Sequence, residues 1–288
     1  MGETEYQWEH QSLPFDEKMK DALEQQHHAA QFLALAGHHL IPQKPDDSNT
    51  NMEYFPNKKM LIGNPLPNGL KLALKLTDLQ LFILDKLDNP IQSISLKGKT
   101  KKMVFNELLT SLQSHAVEVG NFTDSLHYEI PQHALNDGAV FSAEDKYLAE
   151  NAIYRSNAKL VLSKIVSKLK NAEAVKIWPH HFDTGSFVSF AHNEKGELSQ
   201  TIGLGLAIPD SMISEPYYYL SYWSADKLAN VDSLPSPVTG KWLMPKWTGG
   251  VLPISDINSK CAEQEQEKTV SSFYDSGIEI ITKLLKQD

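Results

Sequence analysis

Two pairs of a histidine and a carboxylate occur within apolar stretches of the sequence. His181 and Asp183 stand two residues apart in the segment WPHHFD, and His127 and Glu129 have the same spacing in LHYEIP. Side chains two residues apart project from one face of a strand, and ionisable groups in buried strands need partners or a function. Each pair is therefore a candidate for metal binding or for proton transfer.

Glu215 adds a third carboxylate just before a run of tyrosines. The candidate catalytic set is His127, Glu129, His181, Asp183 and Glu215. Two imidazoles and three carboxylates suit a zinc, iron or manganese site, for which we expect the first four residues as ligands. Without a metal, a carboxylate would orient one histidine as a general base. The alternative is that these pairs only orient each other and satisfy buried polar groups.

Aromatic residues concentrate close to Glu215 and to the WPHHFD segment. Pockets for small organic ligands commonly have such linings. The expected ligand-binding residues are Trp178, His180, Tyr217, Tyr219 and Trp247. Packing of a strand that is buried on both faces is the alternative explanation for these aromatics.

The charge balance argues against nucleic acid as a partner. The chain has 288 residues, and its 27 Lys and Arg against 36 Asp and Glu give a net charge of −9. Arg155 is the only arginine, which also disfavours sites that bind several phosphate groups. Cys261 is the only cysteine, which fits a reducing compartment. The polar N-terminus and the lack of a run of ~20 apolar residues predict a cytoplasmic protein without a membrane span.

Hydrophobic periodicity predicts a mixture of helices and strands. Helices are expected from Asp16 to about Leu40, and over 104–116, 142–169 and 270–284. Strands are expected over 70–76, 79–83, 91–96, 122–130, 175–178, 182–190, 200–207, 217–223 and 241–251. Without regular βα alternation, this order predicts an α+β fold with antiparallel or mixed sheets flanked by helices. We expect 1–288 to form one integrated unit, which can be divided into halves at 12–138 and 139–288 as a pseudo-duplication.

Several motifs resemble those of an uncharacterised bacterial protein family. They are PDDSNTN (45–51), LHYEIP (126–131), WPHHFD (178–183), IGLGLAIPD (202–210), EPYYY (215–219) and WTGGVL (247–252). The resemblance spans most of the chain in one order, which implies a single unit, and it implies no activity. Thr184 and Gly185 depart from it, since apolar residues are expected there.

Two functional hypotheses follow from these residues. The first is a small-molecule enzyme that uses the His/carboxylate set, with or without a divalent metal, in an aromatic pocket. The alternative is a non-catalytic protein that binds a small ligand in that pocket. A scaffold in a larger assembly is a third interpretation, which rests only on the lack of recognised catalytic motifs.

Overall fold

The computed structural model describes residues 6–226, 234–243, 247–257 and 259–286, and its fold is α+β, as predicted. Its helices are α1 (Glu17–Leu40), α2 (Lys101–Ser114), α3 (Asp145–Val166) and α4 (Glu263–Leu285). Its strands are β1 (Met52–Phe55), β2 (Met60–Gly63), β3 (Lys71–Lys75), β4 (Gln80–Leu84), β5 (Pro90–Ser95), β6 (Lys176–Trp178), β7 (Asp183–His192), β8 (Leu198–Ala207), β9 (Tyr217–Ser224), β10 (Lys241–Trp242) and β11 (Gly249–Pro253). Within the described residues, none of the helices is both long enough and apolar enough to cross a membrane.

The chain forms two compact units, and each of them is built from stretches that are not consecutive in the sequence. The amino-terminal unit comprises residues 16–152 and 176–182, and the carboxy-terminal unit comprises 1–15, 153–175 and 183–288. Helix α3 runs through the boundary after residue 152. The units therefore do not follow the linear order of the chain, and the integrated unit with halves at 12–138 and 139–288 stays a prediction.

The amino-terminal unit contains a sheet of the order β6-β1-β2-β3-β4-β5 with antiparallel pairings. Leu72 and Leu74 of β3 pair with Ile83 and Leu81 of β4, and these four side chains are buried. Helix α1 packs against β2 and β3. The strands predicted over 70–96 and the helix predicted over 104–116 are confirmed.

Helix α1 is the buried centre of this unit. Its N-cap is Asp16, whose carboxylate accepts hydrogen bonds from the backbone N–H groups of Lys18 and Met19, as expected for a cap. Polar residues occur even on its buried faces. Gln26 is fully buried, and its Nε2 donates to the carbonyls of Leu76 and Leu148 at 3.0 and 2.9 Å. The bond to Leu76 O gives a partner to a carbonyl outside the regular elements, and the bond to Leu148 O adds a second donor to a carbonyl of α3.

The carboxy-terminal unit contains strands in the order β10-β11-β9-β8-β7, again antiparallel. Helix α4 packs against β9 and β11. The predicted stripe is buried at Val270, Phe273, Gly277 and Leu284, and its remaining position shifts by one residue, from the half-buried Ile280 to the buried Ile281. At Gly277 an added Cβ would lie 2.6 Å from Leu220 Cδ2, so the absence of a side chain permits this close packing.

The strand predicted over 122–130 is wrong, because that segment has no strand pairing. Its alternation is nevertheless present in burial: Leu126, Tyr128 and Ile130 are half-buried, whereas His127 and Glu129 are exposed. His127 and Glu129 are thus both exposed, but the backbone bends at residues 127 and 128 and the two side chains do not share a strand face.

The expected geometry of WPHHFD is also wrong. The strand does not resume after Pro179, because residues 179–182 form a turn closed by a 2.6 Å hydrogen bond from Phe182 N to Trp178 O. Phe182 has a φ of 54°, in the left-handed region. His181 therefore lies in the turn, and Asp183 is the first residue of β7. The two residues do not share one strand face.

Two other regions differ from the sequence-based expectation. The hairpin of β1 and β2, with Met52 opposite Gly63, was not predicted, because its four-residue strands are too short to show a period. The strand expected over 241–251 is replaced by β10 and β11, and its residues 244–246 lie outside the described part of the chain.

Candidate functional site

In the carboxy-terminal unit, the predicted site residues bond to tyrosine and serine side chains. Asp183 Oδ2 accepts a 2.6 Å hydrogen bond from the Tyr219 hydroxyl, and Asp210 Oδ2 accepts one of the same length from Tyr217. Burial and the nearby carboxylates raise the pKa of both phenols, so each stays a donor at neutral pH. These bonds fix the two tyrosines of β9.

Glu215 has a separate role in the same unit. Its two carboxylate oxygens accept from the backbone N and the hydroxyl of Ser255, at 2.8 and 2.7 Å. Trp247 lies with its ring centre 6.4 Å from that of Tyr219, in an edge-to-face arrangement. Glu215 thus anchors the turn that follows β11, while Tyr219 links Asp183 to an aromatic contact.

In the amino-terminal unit, His180 and His181 belong to a row of aromatic rings. The ring centres of His180 and His181 are 4.3 Å apart, and His180 lies 5.7 Å from Tyr128 and 6.3 Å from Trp178. The hydroxyl of Tyr128 donates to Gln31 Oε1 at 2.8 Å. His180 and Trp178, both predicted ligand-binding residues, therefore contact each other.

His127 forms a cluster with two residues that were not predicted as its partners. Its Nε2 lies 3.2 Å from Asp47 Oδ2, and its ring stacks on His38 with centres 4.7 Å apart. One ligand atom from each of His38, Asp47 and His127 lies within 4.8 Å of the others. Burial, followed by the neighbouring His39 and His127, lowers the pKa of His38. Its imidazole is therefore neutral at pH 7 and has a lone pair available.

The loop that carries Asp47 packs directly on the last turns of α1. At Gly37 an added Cβ would lie 2.5 Å from Asn49 O and 2.9 Å from Thr50 Cα, so only glycine permits this approach. Asn49 Nδ2 donates to Gly37 O at 3.0 Å, and Asn64 Nδ2 donates to the carbonyls of Ser48 and Asn49. The loop is held by side chains as well as by backbone contact.

Asp47 itself is oriented by its own loop. It adopts a left-handed conformation with a φ of 59°, which Asp and Asn tolerate better than most residues. Its backbone N donates to Lys44 O, and the hydroxyl of Thr50 lies 3.3 Å from its Oδ2. The same hydroxyl lies 2.9 Å from Asp47 O, so Thr50 holds both the backbone and the side chain of the residue whose Oδ2 contacts His127.

A cavity of about 600 Å³ also lies in the amino-terminal unit. Its apolar lining comes from α1, α2 and the segment 122–135: Phe32, Leu35, Phe105, Leu126, Ile130 and Leu135. Its polar lining includes His28, Gln31, Thr100, Lys101, Lys102, Asp124, Tyr128, Glu129, Gln132 and Asn136. This volume and mixture are typical of sites for small organic molecules. Of the predicted site residues, Glu129 lines the cavity.

Lys101 has neutral partners at the wall of this cavity. Its Nζ donates to Asn136 Oδ1 at 2.8 Å and lies 3.5 Å from His28 Nδ1. The ring of His28 also hydrogen-bonds to the backbone of Pro131, and it must donate there because proline has no N–H. His28 therefore faces Lys101 with an accepting nitrogen.

Burial explains the electrostatics of this corner. It lowers the pKa of His28 to about 4, helped by the positive charge of Lys101 and by His133. Burial also lowers the pKa of Lys101, while Asp124 raises it. Among the described residues, no carboxylate lies within salt-bridge distance of Lys101 Nζ. The ammonium group of Lys101 therefore lines the cavity, and the groups that it contacts directly, on Asn136 and His28, are neutral.

Sequence reasoning did not find the main residues of either site. In the sequence, Lys101 belongs to a short basic run that is typical of a solvated helix start. His38 lies on the same helix face as His27 but about 16 Å along the axis, too far to share an ion, and the H-x-x-x-H spacing of helical zinc sites is absent. The stretch over 43–51 is polar and turn-rich, as loops that border sites often are, and it supplies Asp47. Of the three residues of the cluster, His127 was predicted as a metal ligand, whereas Asp47 and His38 were not.

Comparisons with family models, with curated proteins and with solved structures found no match to this chain. The resemblance to an uncharacterised bacterial family therefore stays a prediction.

Proposed function

We propose that the protein binds a small organic anion in the cavity of the amino-terminal unit. The observation that carries this proposal is Lys101, whose partially buried ammonium group lines the cavity beside Asn136 and His28, both neutral. A charged group that loses hydration is stabilised by an opposite charge nearby. A carboxylate, sulfonate or phosphate on the ligand would provide that charge.

The positive end of α2 supports the same polarity. Thr100 caps this helix by accepting from Met103 N, and Thr100, Lys101 and Lys102 all line the cavity. The N-terminus of a helix carries a partial positive charge that favours anions. The cations of the lining are lysines, each with a single ammonium group. This favours a ligand with one anionic group over a ligand with several phosphates.

The remaining lining suits an apolar body. Phe32, Phe105 and Leu126 offer hydrophobic surface to a ligand whose anionic group lies at Lys101. Like both sequence-based hypotheses, this proposal gives the protein a small-molecule ligand. The proposed binding site differs: it is lined by α1 and α2 and not by the tyrosines of β9. Catalysis by His127, Glu129, His181, Asp183 and Glu215 as one set is not proposed, since each of the five has its own partners or surroundings.

The test compares two fluorescent probes that have similar aromatic bodies. Anilinonaphthalene sulfonate carries an anionic group, whereas phenylnaphthylamine lacks it. We expect one sulfonate probe per chain, and we expect Lys101→Met to weaken its binding at least about tenfold, which corresponds to ~1.4 kcal/mol. Binding of the neutral probe should not change, because methionine keeps the apolar stem of the lysine.

Lys195→Met is the matched control, since Lys195 lies in an exposed turn of the carboxy-terminal unit. It should leave binding of both probes unchanged. Equal binding of the sulfonate probe by the parent and by Lys101→Met would contradict the proposal. Equal weakening of both probes would point to a loss of cavity shape and would also contradict a charge-based role.

A further inference from the structure

We propose that His38, Asp47 and His127 form a binding site for a divalent transition-metal ion, with Zn²⁺ as the preferred ion. This site is separate from the anion site, and it differs from the metal ligands expected from the sequence, of which only His127 takes part. Two imidazoles and one carboxylate converge on it from α1, from the loop over 41–51 and from the segment 122–130.

The geometry of the three donors carries the inference. Their ligand atoms lie within 4.8 Å of one another, and His127 Nε2 is already 3.2 Å from Asp47 Oδ2. Coordination at 2.0–2.2 Å from a shared ion requires donor atoms separated by a few ångströms. Small side-chain rotations of the two histidines would bring all three donors to one ion.

His38 gives an independent indication. Its Nδ1 is buried and, among the described residues, has no hydrogen-bond partner. Buried polar atoms are satisfied in the great majority of cases, so one without a partner calls for an explanation. An imidazole nitrogen without a protein partner is available to bind an ion.

The surroundings of Asp47 favour a preformed site. Its carboxylate is supported by the Thr50 hydroxyl, and its loop is fixed on α1 at Gly37 and by the amide of Asn64. Contacts of this kind orient metal ligands and raise metal affinity. Asp47, whose backbone is left-handed, is thereby held in place before an ion binds.

The donor types and exposure decide the class of metal. Imidazole with carboxylate suits Zn²⁺, Fe²⁺ and Mn²⁺, and affinity rises from Mn²⁺ through Fe²⁺ to Zn²⁺. The side chains of His127 and Asp47 are 45% and 32% exposed, so one side of the cluster faces solvent. Three protein ligands with an open position for water are the arrangement of catalytic zinc sites.

The experiment is calorimetric titration of ZnCl₂ into the full chain, purified without an affinity tag and treated with a chelator. We expect one Zn²⁺ per chain in the parent, with Mn²⁺ binding more weakly. His127→Gln should lower the Zn²⁺ affinity at least about tenfold. Since this side chain is nearly half exposed, the variant is expected to fold, and circular dichroism checks that it does.

Asp47→Asn is the second variant, because asparagine tolerates the left-handed backbone and removes only the charge. It too should weaken Zn²⁺ binding, whereas His192→Gln, which removes an exposed histidine at the end of β7, should not. Absence of Zn²⁺ binding in the parent would overturn the proposal. So would binding that is unchanged in both ligand variants, or that falls equally in the His192→Gln control.

Failure of this proposal can be distinguished from failure of the proposed function. The titration uses Zn²⁺ alone, and none of its variants removes a residue that lines the cavity. Loss of zinc binding in His127→Gln with unchanged binding of the sulfonate probe would support two separate sites.

Discussion

Protonation of His28 should make the stability of the protein depend on pH. The side chain is 2% exposed, its ring donates to the carbonyl of Pro131, and Lys101 Nζ lies 3.5 Å from its Nδ1. Adding a proton would place a second positive charge beside Lys101 in a buried position. Burial and that charge lower the pKa of His28 from 6.5 to about 4 in the folded chain.

The direction of the effect follows from this difference. Above pH 6.5 the imidazole is neutral in both states and has no effect on the pH dependence. Between pH 6.5 and about 4 the unfolded chain binds the proton and the folded chain does not, so stability falls as the pH falls. Over this window the full pKa shift would lower the free energy of unfolding by about 3 kcal/mol. Since the ring borders a cavity, solvent screening reduces our expectation to about 2 kcal/mol.

The assay is urea unfolding at several pH values between 7.5 and 4.5 for the parent and for His28→Gln. Glutamine keeps a donor and an acceptor but does not titrate. We expect the parent to lose about 2 kcal/mol more stability than the variant across this range, because only the parent carries the shifted histidine. His192→Gln, at an exposed position, should show the same pH dependence as the parent. Parallel curves for the parent and His28→Gln would refute the assignment of a buried neutral histidine.

Two further substitutions test the packing of α1. Gly37→Ala gains ~1 kcal/mol of helix propensity, but its Cβ would lie 2.5 Å from Asn49 O, and such overpacking costs about 1–3 kcal/mol. We therefore expect Gly37→Ala to be less stable than the parent in urea unfolding. Gly120→Ala is the control and should lose no stability from a clash, since no atom lies within 4 Å of its new Cβ. A Gly37→Ala variant as stable as the parent would contradict the close packing. Gln26→Met removes the donor to Leu76 O, while Leu148 O keeps its helical bond in α3, so the substitution should cost about 1–3 kcal/mol. The exposed Gln113→Met is its control, and an equal effect of both substitutions on the thermal midpoint would argue against those bonds.

The helices and the longer strands could be predicted because their burial follows a single period. Helix α1 begins at the cap residue Asp16, and α4 buries the stripe that its sequence shows. In β4 the burial alternates from Gln80 to Ile83, whereas in β3 the central Ala73 is buried together with Leu72 and Leu74. Periodicity reports which side chains are buried, and in these elements the same packing also requires the regular backbone.

The functional residues could not be predicted in the same way, since they come together from distant parts of the chain. His38 and His127 are separated by 89 positions, and their contact depends on where the segment 122–130 crosses α1. Lys101 is ordinary in sequence, being one of three lysines at a helix start. Its role depends on Asn136 and on His28, which reach it from another loop and another helix.

The segment 123–131 explains why the strand prediction was wrong and why both proposed sites lie beside it. It runs antiparallel to α1 and bonds to side chains of that helix: His39 to Ser125 O, Gln31 to Tyr128, and His28 to Pro131. These bonds hold the segment on α1, and its backbone bends at residues 124, 127 and 128 instead of pairing with any of the described strands.

The segment 123–131 contributes side chains to both proposed sites. Leu126, Tyr128, Glu129 and Ile130 line the cavity, whereas His127 contacts Asp47 and His38. Had this segment joined a sheet, its N–H and C=O groups would be paired with a neighbouring strand. Because it is held by α1 instead, the same short segment supplies side chains to the cavity and His127 to the proposed metal site.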